Sequence, residues 1–222
     1  MGIKAVLFDF DGVIADTEKE TMKYLKEAFR SLGVELTREE ELSYVGTTGQ
    51  IQTKKILERN HLAMTVEQFF IHRQKFGNYY ENGKNISPMP EIVELLNDLK
   101  KERIKTAIVS TTISRLILTA LNRMKLLAYF DAVVCGDMVN ERKPSPEGYR
   151  KAMSLLGVNN NECIILEDSP TGIKAAKAAG AFVLGVKCGE IVHDTTQADA
   201  EIDDYNKCCS LKSLKLLFGQ KV

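Results

Sequence analysis

Two aspartates one residue apart, Asp9 and Asp11, close an apolar run and are followed at once by Gly12. A chain of this size holds about one D-x-D by chance, so the spacing alone says little. Position says more. Two carboxylates at the end of a strand buried on both faces are costly to desolvate unless a cation or hydrogen bonds compensate them. Three further polar groups stand directly behind or close behind other apolar runs: Ser110-Thr111-Thr112, Lys143-Pro144 and Glu167-Asp168-Ser169. Taken singly, each has an ordinary role as a cap, a turn or a surface residue. Jointly they bring together a hydroxyl, an ammonium and four carboxylates, an inventory suited to a phosphate group and Mg2+.

The elements that must position these groups are legible as five short apolar runs: Ile3 to Phe10, Thr106 to Val109, Ala132 to Cys135, Cys163 to Leu166 and Phe182 to Val186. Unbroken apolarity marks strands covered on both faces, as in parallel sheets. Helical periodicity fills the intervals, over Pro90 to Leu99, Ser114 to Met124, Pro146 to Leu156 with Gly157 behind it, and Thr171 to Ala179 with Gly180 behind it. Alternation of this kind predicts an α/β fold whose strand ends converge on one rim. The first crossover is different, because the long stretch before the second strand reads as helix only. Met22, Leu25, Phe29 and Leu32 share a face, and Thr37-x-x-Glu40 and Thr65-x-x-Gln68 read as capping boxes. A helical insertion over 16–85 is therefore expected within a core of 1–15 and 86–222, leaving through the linker Asn82 to Pro90. Phe69, Phe70, Phe76, Tyr79 and Tyr80 are expected to fill the insertion's own core, and Gly46 to Gly49 to form a specificity loop.

With these motifs in hand, the chain resembles the haloacid dehalogenase superfamily, in its group of capped phosphatases and β-phosphoglucomutases. The matching residues are Asp9-Phe10-Asp11-Gly12-Val13-Ile14-Ala15-Asp16-Thr17, Ser110-Thr111, Lys143-Pro144-Ser145-Pro146, and Leu166-Glu167-Asp168-Ser169-Pro170-Thr171-Gly172-Ile173. Four such motifs in this order are specific, and the resemblance covers essentially the whole chain. It implies a Rossmann-like parallel sheet with a helical cap inserted after the first strand. It also implies a Mg2+-dependent phosphatase working through an aspartyl-phosphate on a small phosphorylated metabolite, a sugar or polyol phosphate. In that scheme Asp9 is the nucleophile and Asp11 the acid and then the base. Mg2+ sits among Asp9, the Asp11 carbonyl and Asp168, and Glu167 orients a water. Lys143, the Ser110 hydroxyl and the N–H near Thr111 hold the phosphoryl oxygens.

Within the superfamily, Asp11 argues against dehalogenation, since a halide leaves without a proton and an alkoxide does not. A phosphomutase is the alternative. The mutase pattern resembles D-x-D-G-V-I-x-D-T-x-x-x-H, and here Thr21 stands at the histidine position; Gly46-Thr47-Thr48-Gly49-Gln50 lacks the mutase arginine. Hydrolysis is accordingly preferred, with Lys54, Lys55 or Arg73 left open as replacement cations. A catalytically idle binding protein on the same fold is the remaining alternative, and the complete acid, nucleophile and lysine set argues against it.

Composition narrows the partners. Thirty Lys and Arg balance thirty Asp and Glu in 222 residues, which leaves no broad basic surface for nucleic acid or an anionic membrane. No apolar run reaches the length of a bilayer span. Five cysteines without a C-x-x-C pair fit a reducing, cytoplasmic setting. A monomer is the default. His61, His72 and His193 lack metal-ligand spacing and read as surface or cap residues, and Cys208-Cys209 as packing ahead of a helix from about Ser210 to Phe218.

Overall fold

The computed structural model describes residues 2–44, 49–84, 86–188, 193–203 and 210–219. Six strands form one parallel sheet: β1 Ala5–Phe8, β2 Lys105–Val109, β3 Ala132–Val134, β4 Cys163–Glu167, β5 Phe182–Val186 and β6 Ala200–Ile202, in the order β3-β2-β1-β4-β5-β6. The apolar runs become strands because both faces are covered. All four residues of β1 are fully buried, and so are Ala107, Ile108, Ile164, Ile165 and Leu166. Ala5, Leu7, Ala107, Val109, Cys163 and Ile165 pack in one cluster with Tyr149, Ala152, Met153 and Leu156 of α8 (Glu147–Leu156) and Ile173 and Ala176 of α9 (Pro170–Ala179). Each large apolar side chain among these contributes about 1.5–3 kcal/mol when removed from water, so this face stabilises the sheet substantially.

The helices stop where their caps say. Gly157 and Gly180 follow α8 and α9 in the left-handed conformation, and the Ser169 hydroxyl accepts from Gly172 N–H to open α9. Before β2, Glu91 at φ 55° delays the start of α6 (Ile92–Lys101) past the expected Pro90. Helix α7 (Ser114–Arg123) starts as expected, and α10 (Leu211–Gly219) agrees within a residue with the C-terminal helix. Strand β6 has no counterpart in the sequence reading. Three residues, Ala-Glu-Ile, with only Ile202 buried, are too few and too polar to register as an apolar run.

The chain divides into two compact units, 1–16 with 86–222, and 17–85. The second is helical: α1 Glu18–Arg30, α2 Arg38–Ser43, α3 Gln50–Arg59, α4 Val66–Arg73 and α5 Tyr79–Asn82. Both capping boxes form, Thr37 with Glu40 and Thr65 with Gln68. Its own core gathers Leu25, Phe29, Ile56, Leu57 and Phe69, with Phe29 and Phe69 stacked 4.1 Å between centroids. Phe70 and Phe76 lie against this cluster half-buried, and Tyr79 and Tyr80 are buried. The residues Gly46 to Thr48 of the expected specificity loop, and Cys208-Cys209, lie outside the described residues. Among the described residues no helix is long and apolar enough to cross a membrane.

Candidate active site

Sheet register brings the chemistry-bearing residues to one edge. Phe8 pairs with Ile108 of β2 and Leu166 of β4, so the next residue, Asp9, stands level with Val109 and Glu167. Asp9 N–H donates to the Leu166 carbonyl at 2.9 Å, and Ser110 N–H to that of Val134 at 3.0 Å, which extends the ladder to the site itself. Strand order reverses at β1, between β2 and β4, which is the place where open parallel sheets leave a crevice at their carboxyl ends.

Two glycines make room there. Gly12 sits at φ 78°, and a Cβ on it would overlap the Asp168 carboxylate; a Cβ on Gly172 would overlap that of Glu167. The turn after Asp9 is tightened by Ile14 and Ala15 N–H groups that both donate to the Phe10 carbonyl, at 2.9 and 3.1 Å. Short side chains at 12 and 172 are thus needed for close approach of the acids, a signal the sequence shows only as part of a longer motif.

Lys143 is the hub. Its ammonium donates to Asp9 Oδ1, to Glu167 Oε1 at 2.6 Å and to the Val109 carbonyl at 2.8 Å, with only 7% of its side chain exposed. Glu167, fully buried, also accepts from the Tyr149 hydroxyl at 2.7 Å and, on Oε2, from Ser169 N–H and Oγ, both at 3.2 Å. Burial alone would depress the Lys143 ammonium, but Asp9 and Glu167 outweigh it and hold its pKa above the ordinary lysine value. Burial pushes the Asp9 carboxyl up to about 8, with Glu167 and Asp11 adding to the shift and Lys143 opposing it.

Asp9, Glu167 and Asp168 each present a carboxylate oxygen within 4.8 Å of the others, and all three are buried. Three carboxylates outnumber the one ammonium of Lys143 in a poorly solvated place, with His193 Nε2 3.7 Å from Asp168 Oδ2. Oxygen donors with that surplus suit a hard divalent cation such as Mg2+. The Asp11 carboxylate stands outside this cluster; its Oδ2 accepts from Thr112 Oγ1 at 3.2 Å, and Thr112 N–H donates to Ser110 Oγ at 3.0 Å. Ser110 is buried and Thr111 exposed, and both line a cleft with Gly136, Arg142, Lys143 and Tyr149.

Comparison with known proteins decides the family. The profile of haloacid dehalogenase-like hydrolases matches residues 6–186. The chain belongs to that family. It is 32% identical over 180 residues to the phosphorylated carbohydrates phosphatase of Thermotoga maritima, covering 80% of this chain and 82% of that one. The crystal structure of CbbY from Rhodobacter sphaeroides in complex with phosphate superposes with a TM-score of 0.79 at 28% identity, over 96% of this chain and 99% of that one. β-Phosphoglucomutase from Clostridium difficile gives a TM-score of 0.79 at 25% identity, over 99% and 98%. The protein is a hydrolase of this family, on the Rossmann-like sheet that its resemblance implied.

Three residues at the site lie beyond the roles assigned from sequence. Tyr149 is an apolar-face position of α8 in the sequence pattern, and nothing there marks its hydroxyl. Thr112 was visible only as a neighbour of Ser110. His193 corrects an expectation: its side chain is 7% exposed and its Nε2 lies 3.7 Å from Asp168 Oδ2, in the sheet unit and not on the surface or in the helical insertion. A single histidine far along the chain carries no spacing by which sequence could have placed it.

Proposed function

We propose that this hydrolase is a Mg2+-dependent phosphatase that cleaves a small phosphorylated metabolite, a sugar or polyol phosphate, through an aspartyl-phosphate on Asp9. The observation that carries the reading is the buried group of Asp9, Glu167 and Asp168 beside Lys143, in which oxygen donors outnumber the one ammonium. Such a cluster is unstable in isolation and becomes balanced when a divalent cation is present, and the cation's own chemistry is to neutralise charge on phosphoryl oxygens. Asp9, Asp168 and the Asp11 carbonyl would hold it, with Glu167 behind them.

The chain's own residues do the rest. An Asp9 oxygen attacks phosphorus, forming the acyl-phosphate bond while the phosphorus–alkoxide bond breaks. Asp11, oriented by the Thr112 hydroxyl, gives its proton to the departing alkoxide. Lys143 and the Ser110 hydroxyl, with the N–H near Thr111, hold phosphoryl oxygens where charge accumulates. Asp11 then takes a proton from water as that water attacks the same phosphorus, which releases phosphate and restores Asp9.

The test is hydrolysis of a panel of sugar and polyol phosphates with and without Mg2+, with p-nitrophenyl phosphate as a common probe. Borohydride reduction during turnover should convert residue 9 to homoserine, read by peptide mass. Turnover that survives Asp9→Asn, or reduction at no residue, would refute the covalent route. A phosphomutase is the second reading, favoured by the match to β-phosphoglucomutase over nearly the whole chain. Thr21 in place of the mutase histidine weighs against it. Isomerisation of a hexose phosphate primed by its bisphosphate, with no free phosphate released, would establish it.

A further inference from the structure

Tyr149 lies outside the motif residues named above, yet it touches two of the charged groups at the centre of the site. It is fully buried in α8, its hydroxyl donates to Glu167 Oε1 at 2.7 Å, and its ring centroid lies 5.0 Å from Lys143 Nζ. The same Glu167 oxygen accepts from Lys143 at 2.6 Å. Phenylalanine would fill this position in the core as well, without a polar atom to satisfy. Glu167 for its part already has Lys143 on one oxygen and Ser169 on the other. The hydroxyl is therefore dispensable to packing and supplementary to the satisfaction of Glu167, and its place is explained by what it does to Lys143.

We propose that Tyr149 is a positioning residue for phosphoryl transfer, whose hydroxyl and ring keep the Lys143 ammonium free to pass from Asp9 to a phosphoryl oxygen. A lysine ammonium has three N–H donors, and here they go to Asp9, Glu167 and the Val109 carbonyl. To grip a phosphoryl oxygen it must release one of them. The Asp9 bond is the one that weakens, because that carboxylate loses its negative charge on bonding to phosphorus. At that moment a bare Glu167 oxygen would draw the ammonium to itself, since attraction is strong where water is excluded. The Tyr149 hydroxyl shares that oxygen and reduces its pull, and the ring face offers the ammonium a second, softer attraction. Loss of the hydroxyl should hold Lys143 closer to Glu167 and slow the chemical step with little effect on substrate binding.

This inference rests on the phosphatase reading, and the experiment separates the two. With p-nitrophenyl phosphate and Mg2+, Tyr149→Phe should lower kcat about 10-fold with KM within twofold. In a Glu167→Gln background the same change should cost less than twofold, because the group through which Tyr149 acts has been altered. A purely structural role would lower the folded fraction and multiply equally in both backgrounds. Independently of activity, in the metal-free protein the Lys143 ammonium should give a slowly exchanging 1H–15N signal that is absent in Lys143→Ala and displaced in Tyr149→Phe. If Tyr149→Phe does not fold, the unsubstituted protein still decides: a protected Tyr149 hydroxyl proton with an Overhauser contact to that ammonium supports the inference, and its absence overturns it. Parent turnover with Tyr149→Phe within twofold of it, or full multiplication in the Glu167→Gln background, overturns the inference alone. No parent hydrolysis, or hydrolysis untouched by Asp9→Asn, overturns the phosphatase reading and the inference with it.

Discussion

Replacing Lys143 by alanine removes the only ammonium among the described residues that bonds Asp9 or Glu167. Two buried carboxylates then face each other without their shared cation. Breaking a buried ion pair from one side costs about 3–5 kcal/mol, because the surviving charge stays uncompensated. Some of that is recovered because burial already pushes the Asp9 carboxyl up to about 8, and loss of Lys143, which opposes that shift, favours the protonated form further. For a unit of this size each kcal/mol lowers Tm by about 2–4 °C, so the fall expected in metal-free buffer is below a ceiling of roughly 20 °C. Catalysis should suffer as well, since an oxyanion donor lost from a preorganised site costs about 3–4 kcal/mol, or roughly 100- to 1,000-fold in kcat. Differential scanning calorimetry with and without Mg2+, beside phosphate release, reads both effects. Mg2+ should raise Tm more in Lys143→Ala than in the parent, because the variant has one more unbalanced charge for it to offset. A kcat within about fivefold of the parent, or equal stabilisation of both proteins by Mg2+, would refute the reasoning that places Lys143 at the centre of the site.

Four shorter expectations follow from the same geometry. Gly12→Ala should lower both Tm and kcat, since its φ of 78° and the overlap with Asp168 leave a methyl no room; kcat unchanged in a folded protein would contradict this. Gly172→Ala should displace Glu167 in the same way, and restored activity at higher Mg2+ would indicate that the metal group alone was disturbed. Thr112→Val removes one hydrogen bond to the Asp11 carboxylate and should slow alkyl phosphates by about three- to tenfold more than aryl ones; equal slowing would remove Thr112 from the acid's support. In the helical unit, the Glu41 carboxyl is held below its usual range by the hydrogen bond from Lys26, aided by the charges of Lys26 and Arg38. A depressed carboxyl stabilises the fold above its unfolded value and loses that contribution as pH falls through the folded value. Glu41→Gln should therefore flatten the loss of stability between about pH 5 and pH 3, and identical acid limbs would count against the pair.

The sheet was readable in advance wherever burial on both faces left an unbroken apolar run, as in AVLF and CIIL, and unreadable at β6, where a three-residue edge strand carries one buried side chain. Capping boxes were legible because their spacing is local, and both formed. The acidic and hydroxyl residues of the site were legible for another reason: a polar group directly behind an apolar strand must be compensated somewhere. Tyr149 and His193 escaped because their roles depend on contacts across 18 and 25 residues of chain, to Glu167 and to Asp168, that no local pattern encodes. Glu41, in the charged stretch Arg38 to Glu41, likewise turns inward to Lys26 with 15% of its side chain exposed, a contact across 15 residues of chain.

The strand that leads into Asp9 finds its neighbours late. Residues 5–8 hydrogen-bond only to segments beginning at 105 and 163, and the lysine beside Asp9 arrives at 143. On the ribosome the Asp9 carboxylate thus precedes its lysine by 134 residues and stays without that lysine and without Glu167 until both have been made. A chain broken off before residue 168 would carry the Asp9 carboxylate without the group that surrounds it, so the proposed activity requires translation through β4.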